Sequence, residues 1–330
     1  MPFLRAFPAL RNRLCLAVAL LALSAPALAG DLRLGANVLV SFASTETGRK
    51  ILTTRDEFVL ALSPFDRAAR MKTDRQVSEK EFLEFVGRNI MAWQPDETNK
   101  IAGLVQHAGE KLAAWNLPFP AAIVFIKTSG QEEGNASYTR QNAVILPEKD
   151  VHSSGLEETV IHELFHILSR HNPDLRRKLY RIIGFNLTDP IDFPEELKQR
   201  KITNPDGVEN CWFINVTNQG GALPVMPILY ASADHCDPGK GGEFFDYMVF
   251  KFLVLKKSGR SWAPSFADGH PQLLGLRNVK GYLEQVGNNT GYIIHPDEIL
   301  ADNFVFLVNG RVNLPTPRIV ADMEKVLRQH

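Results

Sequence analysis

The ten residues from Thr159 to Leu168 read Thr-Val-Ile-His-Glu-Leu-Phe-His-Ile-Leu and constrain the chain more than any other stretch. Val160, Ile161, Leu164, Phe165, Ile167 and Leu168 are apolar nearly all round a helix, which predicts a helix buried in a core. His162 and His166 stand four apart and so project from one face, with Glu163 one position on. Two imidazoles and a carboxylate in such a helix are costly unless something compensates them, and a divalent metal does. The pattern is HExxH. Its histidines can hold one Zn²⁺ through two ring nitrogens, while Glu163 can reach a metal-activated water and serve as its general base. With nine histidines in 330 residues, a chance HExxH is expected only on the order of 0.01 times.

The surrounding pattern predicts an α+β chain. Ser78-x-x-Glu81 is a capping box opening a helix with Phe82, Phe85, Val86, Ile90 and Trp93 at helical spacing. A second helix begins near Thr98 and is stopped by Pro118 and Pro120. Residues 121–127 and 142–146 read as strands, being short and rich in Val, Ile, Leu and Phe. Ser154-x-x-Glu157 reads as another capping box for the HExxH helix, which Asn172-Pro173 ends while starting the next helix to Gly184. Beyond 186, residues 211–216 and 222–230 flank Asn218-Gln219-Gly220-Gly221, a hairpin signal. Residues 243–257 read as a strongly apolar buried helix, followed by helices at 296–308 and from Thr316-Pro317 onward.

A hydrolytic zinc keeps three protein ligands and one open position. The HExxHxxGxxH pattern of metzincins fails, because Ser169 and Asn172 stand where Gly and His belong. The better third ligand is Glu298 in Glu298-Ile-Leu-Ala-Asp302: Glu and Asp four apart share a helix face, so Asp302 can accept from the far nitrogen of a ligand histidine. Ala301 would let the two helices approach closely. Glu243 is the runner-up ligand and His235 a weaker one.

On these two motifs the chain resembles the gluzincin group of zinc metallopeptidases, the thermolysin-like enzymes in the broad sense. Two departures stand beside the likeness: the gap from His166 to Glu298 is far longer, and Asp297 replaces the Asn that precedes the Glu. The resemblance implies a zincin-like fold, with a small sheet packed on the HExxH helix and a mostly helical C-terminal part supplying Glu298. It also implies a peptide or protein substrate laid along an edge strand, for which residues 138–145 occupy the right place. Tyr230, Tyr247, His235 and His295 are candidates to steady the oxyanion, with Tyr230 the nominal choice. The same residues would equally serve a zinc hydrolase of a non-peptide amide or ester, or remain in an inactive exported zinc-binding protein.

Residues 1–29 carry Arg5, Arg11 and Arg13, an apolar run too short to span a membrane, and Ala27-Leu28-Ala29, the layout of a secretory signal peptide. Export to a periplasmic or extracellular space is therefore expected, with no stable membrane span after cleavage. The leader holds three of the 37 basic residues and none of the 37 acidic ones, so the mature chain is slightly acidic, which argues against a nucleic-acid partner. Of three cysteines it removes Cys15, and Cys211 with Cys236 read as one disulfide, or as two free thiols. The expected organisation is a leader at 1–29, an N-terminal α/β part at 30–185 bearing the edge strand and the HExxH helix, and a C-terminal part at 186–330 with the hairpin, the disulfide and the third ligand. Residues 30–98 are expected to belong to the fold rather than to a propeptide. Arg176, Arg177, Lys178 and Arg181 read as a solvated helix face. Asn135, Asn186, Asn215 and Asn288 match the N-x-S/T pattern.

Overall fold

Residues 31–329 are described by a computed structural model, so the expected leader and Cys15 lie outside the described residues. The chain opens with strands β1 (Arg33–Leu34) and β2 (Val38–Phe42) and helices α1 (Thr45–Leu52), α2 (Glu57–Ala61), α3 (Pro64–Arg70) and α4 (Glu79–Arg88). Strand β3 (Ile90–Met91), helix α5 (Pro95–Leu112), strands β4 (Ala122–Thr128), β5 (Tyr138–Arg140) and β6 (Ala143–Pro147), and the short helix α6 (Glu148–Val151) follow. These strands make one sheet in the order β1-β2-β4-β6-β5, with β3 beside β4; β2, β4 and β6 run parallel and β5 is an antiparallel edge. Because β2 lies inside this sheet, residues 30–98 contribute to its core. The Ser78–Glu81 capping box forms, each residue's side chain taking the other's backbone N–H.

Helix α7 (Leu156–His171) carries HExxH and is buried along most of its length. The expected box at its start does not form. Gly155 is the N-cap and makes no side-chain cap, because the chain turns one residue earlier, with Ser153 Oγ accepting the Gly155 N–H at 3.0 Å. Val160, Leu164 and Phe165 share one core with Phe125, Val144 and Leu146 of the sheet. Helix α8 (Pro173–Ile182) comes next, starting at the expected proline.

The C-terminal part differs from expectation. After β7 (Phe185–Leu187) and α9 (Glu195–Lys198), strands β8 (Trp212–Asn218), β9 (Gly221–Ala231), β10 (Met248–Ser258) and β11 (Ser261–Pro264) build a second, antiparallel sheet in the order β11-β10-β9-β8-β7. The β8–β9 hairpin turns through Gln219 and Gly220, both at positive φ, as a two-residue turn of the I′ kind requires. The expected helix at 243–257 is instead a one-turn 3₁₀ segment, Phe244–Tyr247, followed by β10. Val249, Phe250, Phe252, Val254 and Leu255 suit a central strand, and an apolar run interrupted only by Asp246 and Lys251 has no clear period that separates helix from strand. β10 is paired with β9 on one side and with β11 and β14 (Leu273–Leu274) on the other; β12 (Phe266–Ala267) and β13 (His270–Pro271) form a small ribbon. The C-terminal part is thus a sheet with helices rather than mostly helical. Helices α10 (Tyr282–Val286), α11 (Pro296–Val308) and α12 (Pro317–Leu327) complete the chain, and Ile299, Leu300, Ala301 and Phe304 of α11 join the core that holds α7. Among the described residues no helix is long and apolar enough to cross a membrane.

The expected disulfide is not present. Cys211 and Cys236 are free and belong to separate apolar clusters, Cys211 against the main core and Cys236 with Phe65 and Tyr247.

Candidate metal centre

Helices α7 and α11 bring together three donors, two of them four positions apart and the third at least 132 positions further along the chain. One donor atom from each of His162, His166 and Glu298 lies within 4.8 Å of the other two. The Nε2 atoms of His162 and His166 stand 3.1 and 3.5 Å from Glu298 Oε2. Each ring is fixed from behind by a carboxylate: His162 Nδ1 is 3.0 Å from Asp302, and His166 Nδ1 is 2.7 Å from Asp297. A carboxylate at Nδ1 holds the proton there and leaves the Nε2 lone pair turned toward Glu298. Three electron pairs so close together call for a cation, and the donor set suits zinc.

The surrounding carboxylates favour positive charge at the centre. Burial pulls the His162 pKa down, but hydrogen bonds to Asp302 and Glu298 outweigh it and hold the ring up at about 10, so a proton and a metal would compete for Nε2. Burial alone would raise Asp297, yet the hydrogen bond and charge of His166, helped by Arg176 and Ser169, keep it at about 2. The Glu163 carboxyl is pushed up, chiefly by burial and then by the Asp206 charge. Its Oε2 is buried without any hydrogen-bond partner, which in so polar a site marks a group awaiting a ligand.

Asp297, the residue before the candidate third ligand, is the most heavily bonded group at the centre. Asp297 is fully buried and accepts from His166 Nδ1, from Ser169 Oγ at 2.6 Å and from the Tyr180 hydroxyl at 2.6 Å. Arg176 Nε donates to Ser169 Oγ at 3.0 Å. Arg176 is therefore an inward-facing support for the centre and not part of a solvated face. Asn204 donates to Glu298 Oε1 at 2.6 Å, and Thr290 donates to Asp302.

The donors open into a cavity of about 70 Å³ whose walls include Tyr138, Asp206, Leu229, Phe244, Phe245 and Tyr292. Leu229 faces this cavity, so its neighbour Tyr230 on β9 points to the other side of the sheet. There Tyr230 packs against the apolar cluster that holds Phe193, below the Arg200 guanidinium and away from the candidate ligands. Tyr292, 42% exposed overall, lines the cavity instead, where the Glu298 charge raises its phenol well above the usual range. The other expected alternatives are placed elsewhere. Glu243 pairs with Lys72, Tyr247 bonds the 237 backbone, His235 lines a separate surface pocket, and His295 caps α11.

The expected edge strand at 138–145 is a tight hairpin of β5 and β6, with Gln141 at positive φ in its turn. Segment 201–206 pairs with β9 at its start, where the Ile202 N–H bonds the Leu229 carbonyl, reaches β5 at its end through Asp206, and is tied down from the N-terminal side. Arg70, fully buried, bonds Glu133, Asp66 and the Thr203 carbonyl, and Asp66 accepts the Thr203 N–H. No family model, curated protein or solved structure matches this chain.

Proposed function

We propose that the chain is an exported, zinc-dependent peptidase of gluzincin type with a zincin-like fold. The carrying observation is the convergence of His162 Nε2, His166 Nε2 and Glu298, with Asp302 and Asp297 behind the two rings. His162, His166 and Glu298 would hold the ion. When bound, zinc supplies a Lewis acid for the scissile carbonyl and lowers the pKa of water. Glu163 takes a proton from the attacking water and returns it to the leaving amine; its unpartnered oxygen and its raised pKa suit both transfers. Tyr292, in the cavity wall, would donate to the oxyanion as charge develops there. Asp302 and Asp297 keep each ring in the ligating tautomer. Export rests on the sequence of residues 1–29.

The test compares wild type with Glu163→Gln on a mixture of peptides from a denatured proteome, with zinc measured in both proteins. Hydrolysis falling by about 10²–10⁴-fold with zinc retained is expected of a general base. Wild-type protein that holds zinc and cuts no peptide would sink the peptidase reading.

A further inference from the structure

Asp206, at the end of segment 201–206, uses its two oxygens differently. Oδ1 accepts the Thr139 backbone N–H at 2.9 Å and the Thr139 hydroxyl, and lies 3.5 Å from Arg170. Thr139 is the middle residue of the edge strand, so the N–H that an added peptide strand would need is already engaged. The Thr139 carbonyl is taken as well, by Arg170 at 3.5 Å. Among the described residues no hydrogen bond to the other oxygen, Oδ2, is formed, although Asp206 is only 7% exposed and lines the cavity. One donor atom from each of Asp206, Glu163 and His166 lies within 4.8 Å of the other two. This trio is no second metal site, because His166 has one nitrogen on Asp297 and the other already facing Glu298.

The cavity therefore offers a carboxylate beside the reacting centre, and the edge strand next to it has the N–H and carbonyl of its middle residue already engaged. A peptide's α-nitrogen is about 2.5 Å from its own carbonyl carbon, so a carboxylate this close to Glu163 and His166 is within reach of a terminal amine. We propose that the site takes the free N-terminus of a peptide, its α-ammonium group held by Asp206 Oδ2 and an apolar first side chain set against Leu229, Phe244 and Phe245. The protein is then an aminopeptidase. This deepens the peptidase reading and rests on it. In the step itself water oxygen bonds to the carbonyl carbon, the C–N bond breaks and Glu163 carries the proton to the departing amine. Asp206 exchanges no proton; it positions the chain end.

The experiment is calorimetric binding of leucine hydroxamate and N-acetyl-leucine hydroxamate to zinc-loaded wild type, Asp206→Asn and Thr139→Val. Asn at 206 keeps an acceptor for Thr139 and removes the charge. Wild type should prefer the free amine by about 10–100-fold, the worth of a hydrogen bond to a charged group. Thr139→Val should keep that preference, and Asp206→Asn should lose it. Equal affinities in wild type, a preference unchanged in Asp206→Asn, or no binding of either compound overturns the proposal. A preference for the free amine with no hydrolysis of any aminoacyl anilide would instead overturn the peptidase reading and leave the amine site standing. Cleavage of N-blocked peptides with equal hydroxamate affinities would do the reverse.

Discussion

Replacing Asp297 by Asn isolates the contribution of a carboxylate that touches no substrate. Its two oxygens serve three donors, His166 Nδ1, Ser169 Oγ and the Tyr180 hydroxyl, all within 2.7 Å. Asn has one acceptor oxygen and an NH₂ group. With the oxygen toward Ser169 and Tyr180, the amide confronts His166 Nδ1, and the ring can accept only by moving its proton to Nε2, the atom meant for the metal. With the amide flipped, His166 keeps its tautomer but two buried hydroxyls lose their acceptor, and Ser169 already receives Arg176. Either arrangement leaves at least one buried polar group unsatisfied, about 1–3 kcal/mol. That range matches the 10–100-fold loss of affinity typical when the partner of a metal-bound histidine is removed. The assay is competition for zinc against a chromophoric chelator at pH 7.5, with urea unfolding of the zinc-loaded protein alongside. Zinc affinity within twofold of wild type, with an unchanged unfolding midpoint, would refute the reasoning. Asp302→Asn should lose less, because Asp302 is partly exposed and water can replace it.

Glu298→Ala should purify with little zinc while Glu243→Ala retains a full equivalent, read by metal analysis; full occupancy in the first would remove Glu298 as a ligand. Tyr292→Phe should lower kcat by about 10–10³-fold with little change in KM, as expected of an oxyanion donor, whereas Tyr230→Phe should leave both unchanged. Glu132 is buried, with one oxygen unpartnered, and burial raises its carboxyl from 4.5 to about 7. A raised carboxyl binds more protons folded than unfolded, so stability falls as pH rises from about 4.5 to 7, by up to about 3 kcal/mol. Glu132→Gln should therefore stabilise the protein at pH 8 and give no gain at pH 4, and an equal gain at both would count against the sign.

How much of this was legible in the sequence varied with the kind of signal. Helices α7 and α11 carry their own evidence: a buried stretch with two histidines four apart, and Glu298 and Asp302 at the same spacing after His295-Pro296. β10 was hidden because an apolar run with no alternation fits either period until its neighbours are known. Tyr230 was misplaced by the parity of a strand, which only the pairing of β9 settles. Arg176 was lost among four basic residues of which it turns inward, and Asp297 was legible as a residue but not as a partner for His166. Asp206 and Tyr292 come from irregular segments, where no periodicity points at anything. The cysteine pair was a compositional inference, and packing in two separate clusters overrides it.

The ligands of the candidate centre are contributed by two helices separated by more than a hundred residues, and this governs when the centre can exist. His162 and His166 leave the ribosome well before Glu298. Contacts of such sequence separation form late, since the closure entropy of the intervening chain is spent before they return anything. A partly synthesised chain, or one threaded unfolded through a membrane, therefore carries a two-histidine helix without its third ligand or either of the carboxylates behind the rings. Hydrolytic capacity would be withheld by topology alone until α11 has docked on α7, and metal loading would report completion of folding.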